Sequence, residues 1–171
     1  MRMRFVAAAA GACLFALPVV SEPAAAREKV LFRGDAPPGT IVVRNSERRL
    51  YLVLGDGQAI RYRVGVGRRG KSWTGSAYID GKHLRPAWSP PAAVKRDNPH
   101  LPDVIPAGSP KNPMGAAAMT LSGGGQYAIH GTNVPRSIGG FVSYGCIRMY
   151  NEDVLDLFSR VSVGTRVVVT Q

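Results

Sequence analysis

The chain has 171 residues and a formal net charge of +11, with 22 lysines and arginines against 11 acids. That length suits a single domain with a real hydrophobic core and requires no second module. The basic excess contains no long lysine or arginine run, so it describes a field that attracts polyanions in general and by itself selects no partner.

The chain opens with Met1-Arg2-Met3-Arg4, continues through an apolar run from Phe5 to Val20, and reaches small residues at Ala24-Ala25-Ala26. This is the pattern of a cleavable secretion signal, with cleavage expected before Arg27. The run is short and alanine-rich for a membrane span, and it continues past Cys13, which argues against acylation at that thiol. Export makes cell-wall polymer or anionic lipid the candidate polyanion and disfavours nucleic acid. Without the leader the formal charge is still +10, since two arginines and one glutamate leave with it.

From Thr40 to Val66 the chain reads as an antiparallel meander: Ile41-Val42-Val43, Leu50 to Leu54, and Ile60 to Val66, separated by turn signals at Asn45-Ser46 and Gly55-Asp56-Gly57. Eight prolines between Pro86 and Pro113 remove ladder donors and predict an ordered, irregular excursion. Ala116–Leu121 and Gln126–His130 then read as two short strands, with His130 at a strand end. Asn151 is placed to cap a helix carrying Val154, Leu157, Phe158 and Val161 on its apolar face, and Arg166 to Val169 reads as a final buried strand. The expected fold is mainly β with one short C-terminal helix and a long proline-rich loop.

Once the leader is removed, Cys146 is the lone thiol, in Ser143-Tyr144-Gly145-Cys146-Ile147-Arg148-Met149. An exported protein with one cysteine has no internal disulfide to make. A reactive thiol needs a base or a cation nearby. His130 supplies the base, taking the thiol proton into an ion pair and returning it to a leaving amine. Gly145 gives the backbone freedom to aim amides at a developing oxyanion, and Arg148 can stabilise the thiolate or clamp a carboxylate. The competing readings are an inert buried thiol, a solvated Arg148, and a zinc site drawn from His83, His100, His130 and Cys146; the last lacks any close pair of ligands, so no metal and no cofactor is expected. His83 and His100 read as surface residues, and Trp73 and Trp88 as core or loop anchors.

Ile129-His130-Gly131-Thr132 followed by Ser143-Tyr144-Gly145-Cys146-Ile147-Arg148-Met149 resembles the signature of the YkuD-type L,D-transpeptidases. The likeness extends to Trp73-Thr74-Gly75, to Asn112-Pro113-Met114-Gly115-Ala116 and to Val163-Gly164-Thr165-Arg166-Val167, and covers about Thr40 to Gln171. One departure stands out: Tyr144 occupies the place where the family usually has histidine. Trp73, where the family has proline, is expected to touch a strand or turn and not the chemistry.

The resemblance implies a β-sandwich-like catalytic domain over residues 40–171, after a signal peptide at 1–26 and an N-terminal extension at 27–39. It implies a cysteine acyltransferase with Cys146 as nucleophile and His130 as general base and acid. Gly145, Tyr144, Arg148, Gly131, Thr132 and Ser143 are the implied oxyanion or substrate-binding positions, with Gly131 helping to orient the imidazole. Implied partners are peptidoglycan stem peptides, an outer-membrane or wall-anchored protein as a further acceptor, and carbapenems as inhibitors, in the periplasm or cell-wall space. The rival readings are a sortase-like protein transpeptidase, disfavoured by the close Cys146–Arg148 spacing, and a non-catalytic wall-binding module on the same scaffold.

Overall fold

The computed structural model describes residues 27–123 and 126–171; the leader expected at 1–26 lies outside the described residues. Eleven strands are described: β1 (Arg27–Leu31), β2 (Ile41–Arg44), β3 (Arg49–Gly55), β4 (Gln58–Arg63), β5 (Val66–Gly67), β6 (Gly75–Leu84), β7 (Ala117–Leu121), β8 (Ala128–His130), β9 (Phe141–Ser143), β10 (Ile147–Arg148) and β11 (Arg166–Thr170). Nine of them form one sheet in the order β1-β4-β3-β2-β11-β6-β7-β8-β10, while β5 and β9 pair separately. The meander is present as β2, β3 and β4, joined antiparallel with Leu52 opposite Ile41 and Ile60. Alternation buries Ile41, Val43, Leu50, Leu52 and Tyr62 in one core with Met119, Ile129 and Ile147 from the other end of the sheet. A sheet whose two ends share one core has folded over on itself, as expected of a sandwich-like domain.

Several local expectations change. Residues 27–39 are more than an extension: β1 pairs with β4 at the sheet edge, and Phe32 caps a second apolar cluster of Val42, Tyr51, Val53 and Ala59 on the outer face. The proline-rich excursion contains a six-residue helix, α1 (Ala92–Asp97), so the C-terminal helix α2 (Asn151–Arg160) is one of two. Asn151 is not the cap of α2; Tyr150 holds that position, and the Asn151 side chain is used elsewhere. The apolar face of α2 does pack inward through Val154 and Leu157. The last strand, β11, enters the middle of the sheet, parallel to β2 and antiparallel to β6.

Candidate active site

The site is built on two short parallel strands. β8 and β10 pair with Ile129 opposite Ile147 and His130 opposite Arg148. Both isoleucines are buried in the core. Successive side chains alternate between faces, so His130 and Arg148 point the other way, and Cys146, two residues before Arg148, shares that face. His130, Cys146 and Arg148 accordingly line one cleft of about 660 Å³. The proline-rich excursion also lines it, with Trp88, Pro91, Val94 of α1 and Leu101, and Met114 follows just after.

Polar bonds fix the two central side chains. His130 Nδ1 lies 2.7 Å from the Gly131 carbonyl. A carbonyl only accepts, so Nδ1 carries the proton and Nε2 is left with its lone pair. The turn before Cys146 is locked from three sides. The Ser143 hydroxyl donates to the Cys146 carbonyl at 2.6 Å and accepts from the Gly145 N–H at 3.1 Å. Trp73 Nε1 donates to the Gly145 carbonyl at 3.0 Å, and its ring stacks on Tyr127 at 5.1 Å. Gly145 has φ +126°, and a Cβ there would overlap the Tyr127 ring, so only glycine fits. Trp73 therefore touches a turn, as expected, and the turn is the one that carries Cys146.

Burial sets the protonation states. It pushes the His130 imidazole down to about 4, with the Arg148 charge adding to the effect and the Gly131 carbonyl opposing it. It also pushes the Cys146 thiol up, against the lowering influence of an Ala128 backbone hydrogen bond and of Arg148. The expected resting ion pair is thus replaced by a neutral thiol and a neutral imidazole lining one cleft, because desolvation disfavours both charged forms, with Arg148 adding to it at the imidazole and only partly offsetting it at the thiol. Arg148 is itself held below its ordinary value by burial, and its Nε is buried with no hydrogen-bond partner among the described residues.

The remaining sequence-derived positions separate into different roles. The Gly145 N–H is committed to Ser143, so it is not a free oxyanion donor; among the described residues the N–H groups of Tyr144 and Cys146 have no acceptor. Thr132 is buried outside the cleft, giving its N–H to Asn151 Oδ1 and accepting from the Val134 N–H. Gly131 supports the imidazole through its carbonyl and packs against the Asn151 side chain, which also accepts from Ala116 N–H at 3.0 Å and donates to the Thr132 carbonyl at 3.0 Å. Tyr144 lines the cleft and donates through its hydroxyl to Asp97 Oδ2 at 2.6 Å, on the last residue of α1. Arg68 completes that contact, 2.8 Å from the same oxygen and 4.1 Å above the tyrosine ring. Asn151, Asp97 and Arg68 were missed as site residues at the level of sequence; Asn151 alone had a signal, and that was read as a helix cap. His83 and His100 are exposed, and among the described residues no group of three metal-ligating side chains converges.

The model of the L,D-transpeptidase catalytic domain matches residues 38–169. The chain belongs to that family. Among curated proteins it is similar to the probable L,D-transpeptidase YbiS of Escherichia coli, at 42% identity over 136 residues, 74% of this chain and 43% of YbiS. The chain therefore spans under half the length of that relative. Among solved structures it is similar to L,D-transpeptidase 3 from Mycobacterium tuberculosis bearing a faropenem-derived adduct, with TM-score 0.56 and 16% identity over 77% of this chain and 60% of that one. That likeness concerns the fold. A Brucella melitensis structure described as a probable carnitine operon oxidoreductase aligns at 40% identity and TM-score 0.57, covering 88% of this chain and 96% of that one.

Proposed function

We propose that the protein is an exported, cysteine-dependent L,D-transpeptidase acting on peptidoglycan tetrapeptide stems in the periplasm or cell-wall space. The observation that carries the reading is the shared cleft of Cys146 and His130, with the imidazole neutral and its Nε2 unprotonated. His130 removes the Cys146 proton as the sulfur attacks the carbonyl of the third stem residue. The C–N bond to the terminal D-amino acid breaks, His130 returns the proton to the departing amine, and a thioester remains. The Tyr144 and Cys146 N–H groups are the donors left to meet the oxyanion, and Arg148 at the cleft floor meets a substrate carboxylate. An amine from a second stem then gives a cross-link between third residues; an amine of an outer-membrane or wall-anchored protein gives an anchored protein.

Incubation with a tetrapeptide stem and mass spectrometry of the intact protein tests this. The expected result is a mass increase equal to the tripeptide acyl group, carried on Cys146. Absence of that adduct despite measurable substrate binding refutes the mechanism. Carbapenems are expected to acylate the same sulfur, with labelling lost in Cys146→Ala and strongly slowed in His130→Ala.

A further inference from the structure

The Cys146 N–H is one of the two backbone donors left to meet an oxyanion, and having no acceptor among the described residues it is not aimed by a bond of its own. Its direction is set from the other end of its peptide unit. The Gly145 carbonyl and the Cys146 N–H belong to one planar trans group, so they point in opposite directions. Trp73 Nε1 donates to that carbonyl at 3.0 Å. Ser143, Tyr144 and Cys146 line the cleft, whereas Trp73 and Gly145 do not. The indole therefore holds the turn from behind, and the N–H on the far side of the peptide faces the cleft.

This peptide needs holding. Gly145, at φ +126°, lacks the Cβ that restricts rotation of the units beside it. Turned over, the unit would present a carbonyl where the donor belongs. The peptides on either side have their own tether: the Ser143 hydroxyl accepts from the Gly145 N–H and donates to the Cys146 carbonyl. Neither bond touches the unit between Gly145 and Cys146, which is left to Trp73.

Trp73 is itself anchored. Its ring lies 5.1 Å from that of Tyr127 and within 5° of parallel, and both pack against the main core. Its own carbonyl accepts from Asn45 Nδ2 at 2.9 Å, and Asn45, 2% exposed, gives its N–H to the Thr170 carbonyl at 3.0 Å. The indole is thus carried by residues at the ends of β2 and β11, in the middle of the sheet. Proline, which the resemblance places at this position, has no such donor.

We propose that Trp73 is a positioning residue for the oxyanion site, its indole N–H fixing the peptide between Gly145 and Cys146 so that the Cys146 N–H points at the developing oxyanion. This rests on the acyl-transfer reading above. As the sulfur bonds to the substrate carbonyl carbon, the oxygen takes up the negative charge, and the N–H that Trp73 holds in place meets it.

The test removes the indole N–H and little else. Trp73 is replaced by benzothienylalanine, in which sulfur stands for the N–H and the stacking surface is kept; Trp73→Phe is a second variant that also lacks the donor. Each protein is treated with a carbapenem, and the concentration dependence gives the acylation rate at saturation and the affinity of the non-covalent complex. Each is treated separately with iodoacetamide, whose alkylation of Cys146 draws on the same thiol and base but displaces iodide without forming an oxyanion. Both variants are expected to acylate about tenfold or more slowly at saturation, with affinity and alkylation rate each staying within about twofold of wild type. Equal slowing of acylation and alkylation, as a general distortion of the turn would give, overturns the proposal. So does undiminished acylation in the benzothienylalanine protein, which decides where the two variants differ. Failure of the wild-type protein to be acylated while it is alkylated overturns the acyl-transfer reading itself, and is seen before any variant is made.

Discussion

The His130 imidazole makes a stability prediction that can be worked through. Its ordinary value is 6.5, and burial in the folded protein lowers it to about 4. The unfolded chain therefore binds a proton between these values that the native protein refuses, so stability rises with pH across the window and is lost as pH falls from 6.5 toward 4. The contribution is about 2 kcal/mol at pH 5 and about 3 kcal/mol by pH 4, at 1.36 kcal/mol for each unit of displacement. His130→Asn preserves a donor for the Gly131 carbonyl and removes the titration. Urea unfolding of both proteins at pH 7, 5 and 4 should then show wild type losing this increment relative to the variant, with all other titrating groups cancelling in the difference. Parallel pH dependences, agreeing within about 0.5 kcal/mol, would refute the claim that the imidazole is buried and neutral. The same displacement sets the acid limb of acylation: the base form of His130 persists down to about pH 4, so kcat/KM should fall there and not near 6.5.

Further expectations concern the supports of the site. Gly145→Ala places a Cβ into the Tyr127 ring at φ +126° and should cost about 2–3 kcal/mol in denaturant unfolding, with β-lactam labelling of Cys146 greatly slowed. Asn151→Ala leaves the Ala116 and Thr132 N–H groups without their acceptor and should cost about 2 kcal/mol, read as a lower thermal midpoint with slower acylation. Tyr144→Phe removes the bond to Asp97, which, ahead of Arg68, holds that carboxyl below its usual range. Amide exchange in Ala92–Asp97 should quicken several-fold while the global unfolding midpoint stays in place.

The residues proposed to perform the chemistry were legible in the sequence because their signals are local. A lone thiol after glycine and before arginine, and a histidine before glycine, are readable without knowing what lies around them. The meander was legible for the same reason, since the apolar runs of β2, β3 and β4, whose alternate residues enter two clusters on opposite faces, and the turns between them depend on neighbours a few residues away. Where a local signal had two uses, it misled. Asn151 has the residue type of a cap, yet its amide bridges Ala116 and Thr132, which are distant in sequence, and only the packed loops make that use available.

Tertiary structure decided the protonation and the surroundings of the site. The charged pair expected from Cys146, His130 and Arg148 becomes a neutral pair because segments far along the chain exclude water from it, and desolvation scales with enclosure, not with sequence neighbours. Trp73 reaches the turn that carries Cys146 across 72 positions. Thr132, beside the base in sequence, faces away from the cleft because the chain turns at Gly131 to satisfy Asn151. The sequence by itself determined which groups are candidates to react and which segments become strands; the folded chain decided which proton each group holds and which amides remain free, since each of these depends on atoms brought together from opposite ends of the chain.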